Sequence, residues 1–137
     1  MNYTYPTKIL LAWSEAIAGN KDILNYLLQS EYQELGIFVY ALHLKKDARK
    51  WLLSNNFPHL MAVVMGAEGD EKAIIWLDKN QHFALAHVAR LGDGEKRSLD
   101  WLVANKQQEL ARVGLKIKEV KDYIERKHND THSFSFE

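Results

Sequence analysis

Apolar residues recur along this chain in columns that repeat every 25 residues. The clearest marker is an aromatic residue followed by leucine, which occurs at Tyr26-Leu27, Trp51-Leu52, Trp76-Leu77 and Trp101-Leu102. A second column, of leucines, has the same step and consists of Leu35, Leu60, Leu85 and Leu110. Within each unit the apolar positions lie three and four residues apart, which is the spacing of amphipathic helices. The pattern therefore predicts two short helices in each unit.

Turn residues separate the predicted helices at corresponding places. Gly19-Asn20 is typical, because glycine tolerates the left-handed conformation at a helix end and asparagine caps the next helix. In each repeat, one polar residue between the two helices is expected to adopt the left-handed conformation and turn the chain. These hinge residues are Ser30, Asn55, Asn80 and Asn105. The predicted helices are 7–18, 21–29, 32–42, 46–54, 57–67, 71–79, 83–91, 95–104 and 106–127.

These elements predict an all-α fold, an α-solenoid (αα-superhelix) of helix-pair repeats within one domain. The four repeats are 19–43, 44–68, 69–93 and 94–118. Residues 1–18 form a lead-in and an N-terminal half-repeat cap helix, since Leu10 and Trp13 fall into the repeated columns. Residues 119–127 extend the last helix as a C-terminal cap, and 128–137 are predicted to be a polar tail.

The aromatic residues at the repeated step are predicted to be core residues. Trp51, Trp76 and Trp101 occupy equivalent positions beside the leucines, and Trp13 lies in an inward column of the first helix. Stacking on sugars or bases is the alternative for such aromatic side chains. On the core interpretation, truncation of Trp76 to alanine is expected to cost roughly 3–5 kcal/mol.

The segment Gly19–Leu28, with the sequence Gly-Asn-Lys-Asp-Ile-Leu-Asn-Tyr-Leu-Leu, resembles the second helix of an ankyrin repeat. Gly69–Leu77 also resembles this ankyrin helix. The unit is shorter than the about 33 residues of that family and lacks its Thr-Pro-Leu-His turn. The resemblance therefore implies helix pairs that stack as in HEAT and ankyrin-like proteins, and it carries no binding residues across.

Composition narrows the class of protein. Eighteen basic and eighteen acidic residues cancel, which argues against nucleic acid as a partner because such binding needs a basic face. The chain has no cysteine, hence no disulfide or zinc-thiolate site. We find no signal peptide and no apolar stretch long enough to span a membrane, so we expect a cytoplasmic protein.

Candidate chemistry is sparse. His82 and His87 are five residues apart and do not share a helix face, and no His-Glu-x-x-His motif is present. The alternating His128, Asp130 and His132 could chelate an ion, but a solvated tail is the favoured interpretation. The carboxylate pairs Asp70-Glu71 and Asp93-Glu95 are expected to cap helix starts. We therefore predict no catalytic residue, no metal and no cofactor.

The remaining candidate is the outward face of the second helices, whose residues vary between repeats while the core columns hold. Its candidate binding residues are Glu34, Ile37, Tyr40, His59, Met65, His87, Arg90 and Arg112. The preferred hypothesis is a non-enzymatic scaffold or adaptor that binds a protein or peptide there, and Tyr40 to Met65 is its most apolar part. A solvated face without a partner and a homodimer interface are alternatives. The alternative from another functional class is a small helical enzyme, whose site would require Glu34, His59, His87 and Arg90 to converge.

Overall fold

The computed structural model describes the backbone of residues 4–134 and the side chains of residues 4–127. Within this range the chain is all-helical, with nine α-helices and no strand. They are α1 (Thr7–Ile17), α2 (Lys21–Leu28), α3 (Gln33–Leu42), α4 (Lys46–Ser54), α5 (Pro58–Ala67), α6 (Glu71–Lys79), α7 (Phe83–Gly92), α8 (Arg97–Ala104) and α9 (Gln108–Phe134).

The helices confirm the predicted elements closely. α4 and α6 have the predicted bounds, and the others before α9 differ by one or two residues at one end. The last helix continues beyond 127 to Phe134, into the segment that the sequence analysis assigned to a tail. The lead-in residues 1–3 and the tail residues 135–137 lie outside the described part of the chain.

The odd-numbered helices pack side by side as neighbours in sequence order. α1 contacts α3, α3 contacts α5, α5 contacts α7, and α7 contacts α9. The even-numbered helices each pack against the two helices that flank them in the chain. This packing is compatible with a helical repeat. One further contact was not predicted from the repeat pattern: α9 returns to α1, which makes the five odd-numbered helices a closed cycle of neighbours.

The core consists of the aligned apolar columns. The leucine of each aromatic-leucine pair is fully buried: Leu27, Leu52, Leu77 and Leu102. A second buried column contains Trp13, Phe38, Val63, Val88 and Val113. The Trp13 ring packs edge-on against Phe38, with 5.0 Å between ring centroids. The prediction that Trp13 is a core residue is therefore confirmed.

The predicted core position of the repeated aromatic residues is wrong for Tyr26 and Trp76. Trp76 is 37% exposed and Tyr26 is 52% exposed, while Trp51 and Trp101 are partly buried. Consecutive residues are about 100° apart around a helix. Since the leucine points into the core, the preceding aromatic residue lies at the edge of the buried face.

The turns between helices use left-handed residues at the repeated step. Gly19, Gly69 and Gly94 have φ values of 110°, 97° and 100°, as predicted for helix-ending glycines. Leu44 occupies the same place in its repeat with φ 67°. At the other turns the left-handed residues are Asn56, Gln81 and Lys106, with φ 69°, 65° and 60°.

The prediction that Asn55, Asn80 and Asn105 turn the chain in a left-handed conformation is therefore wrong. Asn55 has φ −103°, so the left-handed residue is the one that follows it. The side-chain amides of Asn55, Asn80 and Asn105 instead donate hydrogen bonds of 2.9, 2.8 and 2.8 Å to the carbonyl oxygens of the tryptophans four residues earlier. Each of these carbonyl oxygens also accepts the backbone N–H of the same asparagine, so the side-chain amide adds a second hydrogen bond at the helix end.

The expected capping roles are confirmed for two polar residues. The side chain of Asn20 accepts a hydrogen bond from the backbone N–H of Ile23 at 3.1 Å. Asp70 accepts from the N–H groups of Lys72 and Ala73. Asp93 does not cap the start of α8, because it lies at the end of α7 and pairs with Lys121 of α9 at 3.5 Å.

Candidate functional site

Tyr40, Met65 and Arg90 occupy equivalent positions on α3, α5 and α7, one 25-residue step apart. Because these helices are successive neighbours, the three side chains form a row, which we call the Tyr-Met-Arg row. Tyr40 is 38% exposed and Met65 is 37% exposed. Arg90 is partly exposed, and its Nη2 lies 2.5 Å from Oδ2 of Asp78 on α6. The row therefore combines two accessible uncharged side chains with a paired cation.

Glu34 and His59, which the sequence analysis placed on the same outward face, are buried instead. The hydroxyl of Tyr5 donates a 2.8 Å hydrogen bond to Oε2 of Glu34. Burial, followed by this hydrogen bond, raises the pKa of Tyr5. Ile37 is partly buried and packs against the core. These three residues are partly or fully buried because α3 and α5 each pack against odd-numbered helices on both sides and against the even-numbered helices before and after them in the chain.

His87 and Arg112 are engaged in contacts between helices. The Nδ1 atom of His87 lies 2.9 Å from Oγ of Ser98, and its ring stacks on Trp101 with 4.2 Å between centroids. Burial, followed by the charge of Arg90, lowers the pKa of His87, so its ring is neutral at pH 7. Arg112 donates from Nε to Oγ of Ser14 at 3.1 Å. Both side chains therefore have structural roles at helix contacts.

The four residues of the enzymatic alternative each have a different set of neighbours. Glu34 accepts from Tyr5, and His59 stacks with His82. His87 contacts Ser98, and Arg90 pairs with Asp78. Arg90 lies close enough to His87 for its charge to lower the pKa of that histidine, whereas Glu34 and His59 contact other residues in the described part of the chain.

The chain matches no protein-family model, no curated protein sequence and no solved structure. Across the described residues, no group of three or more histidine, cysteine or acidic side chains could hold a metal ion. The alternating His128, Asp130 and His132 lie outside the described side chains. No helix in the described range has the length and apolar character needed to cross a membrane.

An aromatic array at the N-terminal ends of α5 and α7 was missed by the sequence analysis. Trp51 stacks on Phe57 at 5.9 Å, and Phe57 contacts His59 at 6.0 Å between centroids. His59 stacks on His82 at 5.4 Å, and His82 stacks on Trp76 at 5.8 Å. Phe57 and His82 are one repeat step apart, which was the available signal. The assignment of the tryptophans to the core hid this signal.

The two histidines of this array are neutral at pH 7. Burial, followed by the proximity of His82, lowers the pKa of His59 from 6.5 to about 4. Burial also lowers the pKa of His82. Desolvation disfavours the charged form of an imidazole. The array is therefore an uncharged stack of rings, whose outer member Trp76 is accessible to solvent.

A cavity of about 210 Å³ lies near the N-terminal ends of α1, α5, α7 and α9. Four members of the leucine column form much of its wall: Leu10, Leu60, Leu85 and Leu110. Trp13 and Ala84 complete the apolar lining, and the polar lining residues are Thr4, Tyr5 and Gln107. The indole Nε1 of Trp13 is buried and has no hydrogen-bond partner in the part of the chain that the structure describes. The periodicity places these leucines in the core but does not reveal that they leave a space.

Proposed function

We propose that the chain consists of four 25-residue helix-pair repeats, with α1 as a half-repeat and α9 as the terminal helix. The recurrence of left-handed residues at 44, 69 and 94, and at 56, 81 and 106, supports this division. The repeats curve far enough for α9 to contact α1. Such a scaffold holds variable surface residues on a constant core.

We propose further that the protein is a non-enzymatic binding module that engages a protein or peptide through the Tyr-Met-Arg row. The observation that supports this most is the chemistry of the row at equivalent positions on three adjacent helices. Tyrosine, methionine and arginine are enriched at protein interfaces, whereas lysine, glutamate and alanine are depleted. On α5, Met65 is exposed while the residues from His59 to Val64 are buried, so the core does not require an apolar side chain there.

The chemistry of the row favours an apolar partner segment. Asp78 neutralises much of the charge of Arg90, so the row presents little net charge. The flexible thioether of Met65 adapts to irregular apolar surfaces. The Tyr40 ring adds apolar area and a hydroxyl that can donate or accept a hydrogen bond. We therefore expect a partner segment with aromatic or aliphatic anchors and few charges.

Selection from a library of random peptides displayed on phage tests this proposal. Wild-type protein should enrich peptides with apolar anchors, and the double variant Tyr40→Ser, Met65→Ser should lose them. The matched control is Leu53→Ser, Val103→Ser, which removes two exposed apolar side chains from α4 and α8. Equal enrichment on wild type and on the row variant would contradict the proposal.

Self-association through the row is a separate outcome. Sedimentation analysis at the concentrations used for selection distinguishes it from partner binding. A wild-type dimer that becomes monomeric in the row variant would replace the peptide partner with a second copy of this chain. A monomer in both cases leaves the row accessible for another protein.

A further inference from the structure

We propose that the cavity lined by Trp13 and Ala84 binds a small, neutral ring compound that carries one hydrogen-bond acceptor. This site is separate from the Tyr-Met-Arg row, because none of the three row residues lines the cavity. The proposal therefore does not depend on the proposed protein or peptide partner. It rests on the size of the cavity, on its lining and on one buried donor.

The size of the cavity sets the size of the ligand. A volume of about 210 Å³ exceeds the roughly 150 Å³ at which an engineered apolar cavity in another protein admits benzene. The wall consists mainly of leucine side chains together with Trp13 and Ala84. An apolar space of this kind favours an apolar guest over water. A single six-membered ring with a two- or three-atom substituent is therefore the expected size.

Trp13 supplies the polar specificity. Its side chain is 1% exposed, it lines the cavity, and its Nε1–H has no hydrogen-bond partner among the described residues. Indole N–H is a donor only, and an unsatisfied buried donor is costly. A ligand acceptor that pairs with this N–H removes that cost. The cavity therefore selects for a carbonyl or ether oxygen on the ring compound.

The charge of the lining excludes an ionised ligand. Of the residues described as lining the cavity, none carries a formal charge at pH 7. Among the described lining residues a carboxylate would find no cationic partner to offset the loss of its hydration, which is strongly unfavourable. A neutral ligand with an acceptor oxygen therefore fits this lining better than a carboxylate.

The sequence explains why the space exists. Ala84 stands at the repeat position that carries Glu34, His59 and Glu109 in the other repeats. Those residues have long or bulky side chains, whereas alanine ends at Cβ. The small side chain at this position therefore leaves room between the leucines. Enlarging residue 84 should close the cavity, and this gives a direct way to block it.

The test follows the indole N–H resonance of Trp13 by NMR in the full-length chain, assigned by its loss in Trp13→Phe. The probes are acetophenone, cumene and benzoate, where cumene has nearly the same shape as acetophenone without the acceptor. Acetophenone should move the Trp13 resonance downfield in a saturable way. It should also bind about three- to tenfold more tightly than cumene, as expected for one net hydrogen bond. Benzoate should not bind.

Variants complete the test. Ala84→Leu should abolish acetophenone binding, and Leu110→Phe blocks the cavity from another wall if Ala84→Leu does not fold. The matched control Ala104→Leu, at an exposed position on α8, should bind like the wild type. In Trp13→Phe, the preference for acetophenone over cumene should disappear. The absence of a saturable shift in wild type, equal binding of cumene, or unchanged binding in a folded blocking variant would each overturn the proposal.

Discussion

The guanidinium of Arg112 donates a 3.1 Å hydrogen bond from Nε to Oγ of Ser14, a residue 98 positions away in the sequence. Ser14 is fully buried, and its hydroxyl in turn donates to the carbonyl oxygen of Leu11 at 2.7 Å. Nη2 of Arg112 also lies 3.5 Å from Glu15. These contacts join α9 to α1 and close the cycle of odd-numbered helices.

Arg112→Met should therefore lower the free energy of unfolding by about 1–2 kcal/mol, because Ser14 loses a charged donor. Urea denaturation of Arg112→Met, Ser14→Ala and the double variant should show a coupling of roughly 0.5–1.5 kcal/mol. Arg126→Met, at an exposed position on the same helix, serves as the control and should change stability little. Strictly additive effects of the two substitutions would show that the contact does not stabilise the closure.

Leu77 and Trp76 should respond differently to truncation, although both belong to the repeated marker pair. Leu77 is fully buried, so Leu77→Ala should cost about 2–5 kcal/mol. Trp76 is 37% exposed, so Trp76→Ala should cost roughly 1–2 kcal/mol, less than its predicted core position implied. Chemical denaturation measures both losses. A larger loss of stability for Trp76→Ala than for Leu77→Ala would show that Trp76 contributes more to the core than Leu77 does.

Leu44→Gly should stabilise the protein. Leu44 has φ 67° and is 58% exposed, so it adopts a left-handed conformation without burying much apolar surface. Relief of the left-handed strain outweighs the extra backbone entropy of glycine by roughly 0.5–1 kcal/mol. A thermal melt should therefore show a Tm increase of about 2–4 °C. Gly69→Ala, at the equivalent turn, is the opposite substitution and should lower the Tm.

The helices were predictable from the sequence, whereas the exposure of several side chains was not. Three- and four-residue spacings define helical faces, so the bounds of α4 and α6 could be predicted. The period alone does not give the angle between successive repeats, and so it did not predict that α9 contacts α1. Because the period does not give this angle, it also did not show that Glu34 and His59 are buried, and both were assigned to an outward face. The small side chain of Ala84 was visible in the sequence, but its neighbours across the cavity were not.

The buried His59 should make the protein less stable as the pH falls. Its pKa is about 4 in the fold and 6.5 in the unfolded chain, so the unfolded state binds more protons between these values. Stability should therefore decrease as the pH drops from about 6.5 to about 4, by roughly 2–3 kcal/mol in total. Urea titrations at several pH values measure this loss. His59→Leu should show a smaller decrease over that window, and an equal decrease in both proteins would assign the pH dependence to other groups.

Chemical-shift mapping with a peptide selected on the wild-type protein tests most directly whether the Tyr-Met-Arg row is a binding surface. On titration, the largest saturable changes in backbone amide shifts should occur at Tyr40, Met65 and Arg90 and their neighbours on α3, α5 and α7. The variant Tyr40→Ser, Met65→Ser should weaken binding at least tenfold, as for a typical interface hot spot. Shift changes confined to α4 and α8, or undiminished binding by the variant, would contradict the proposed function.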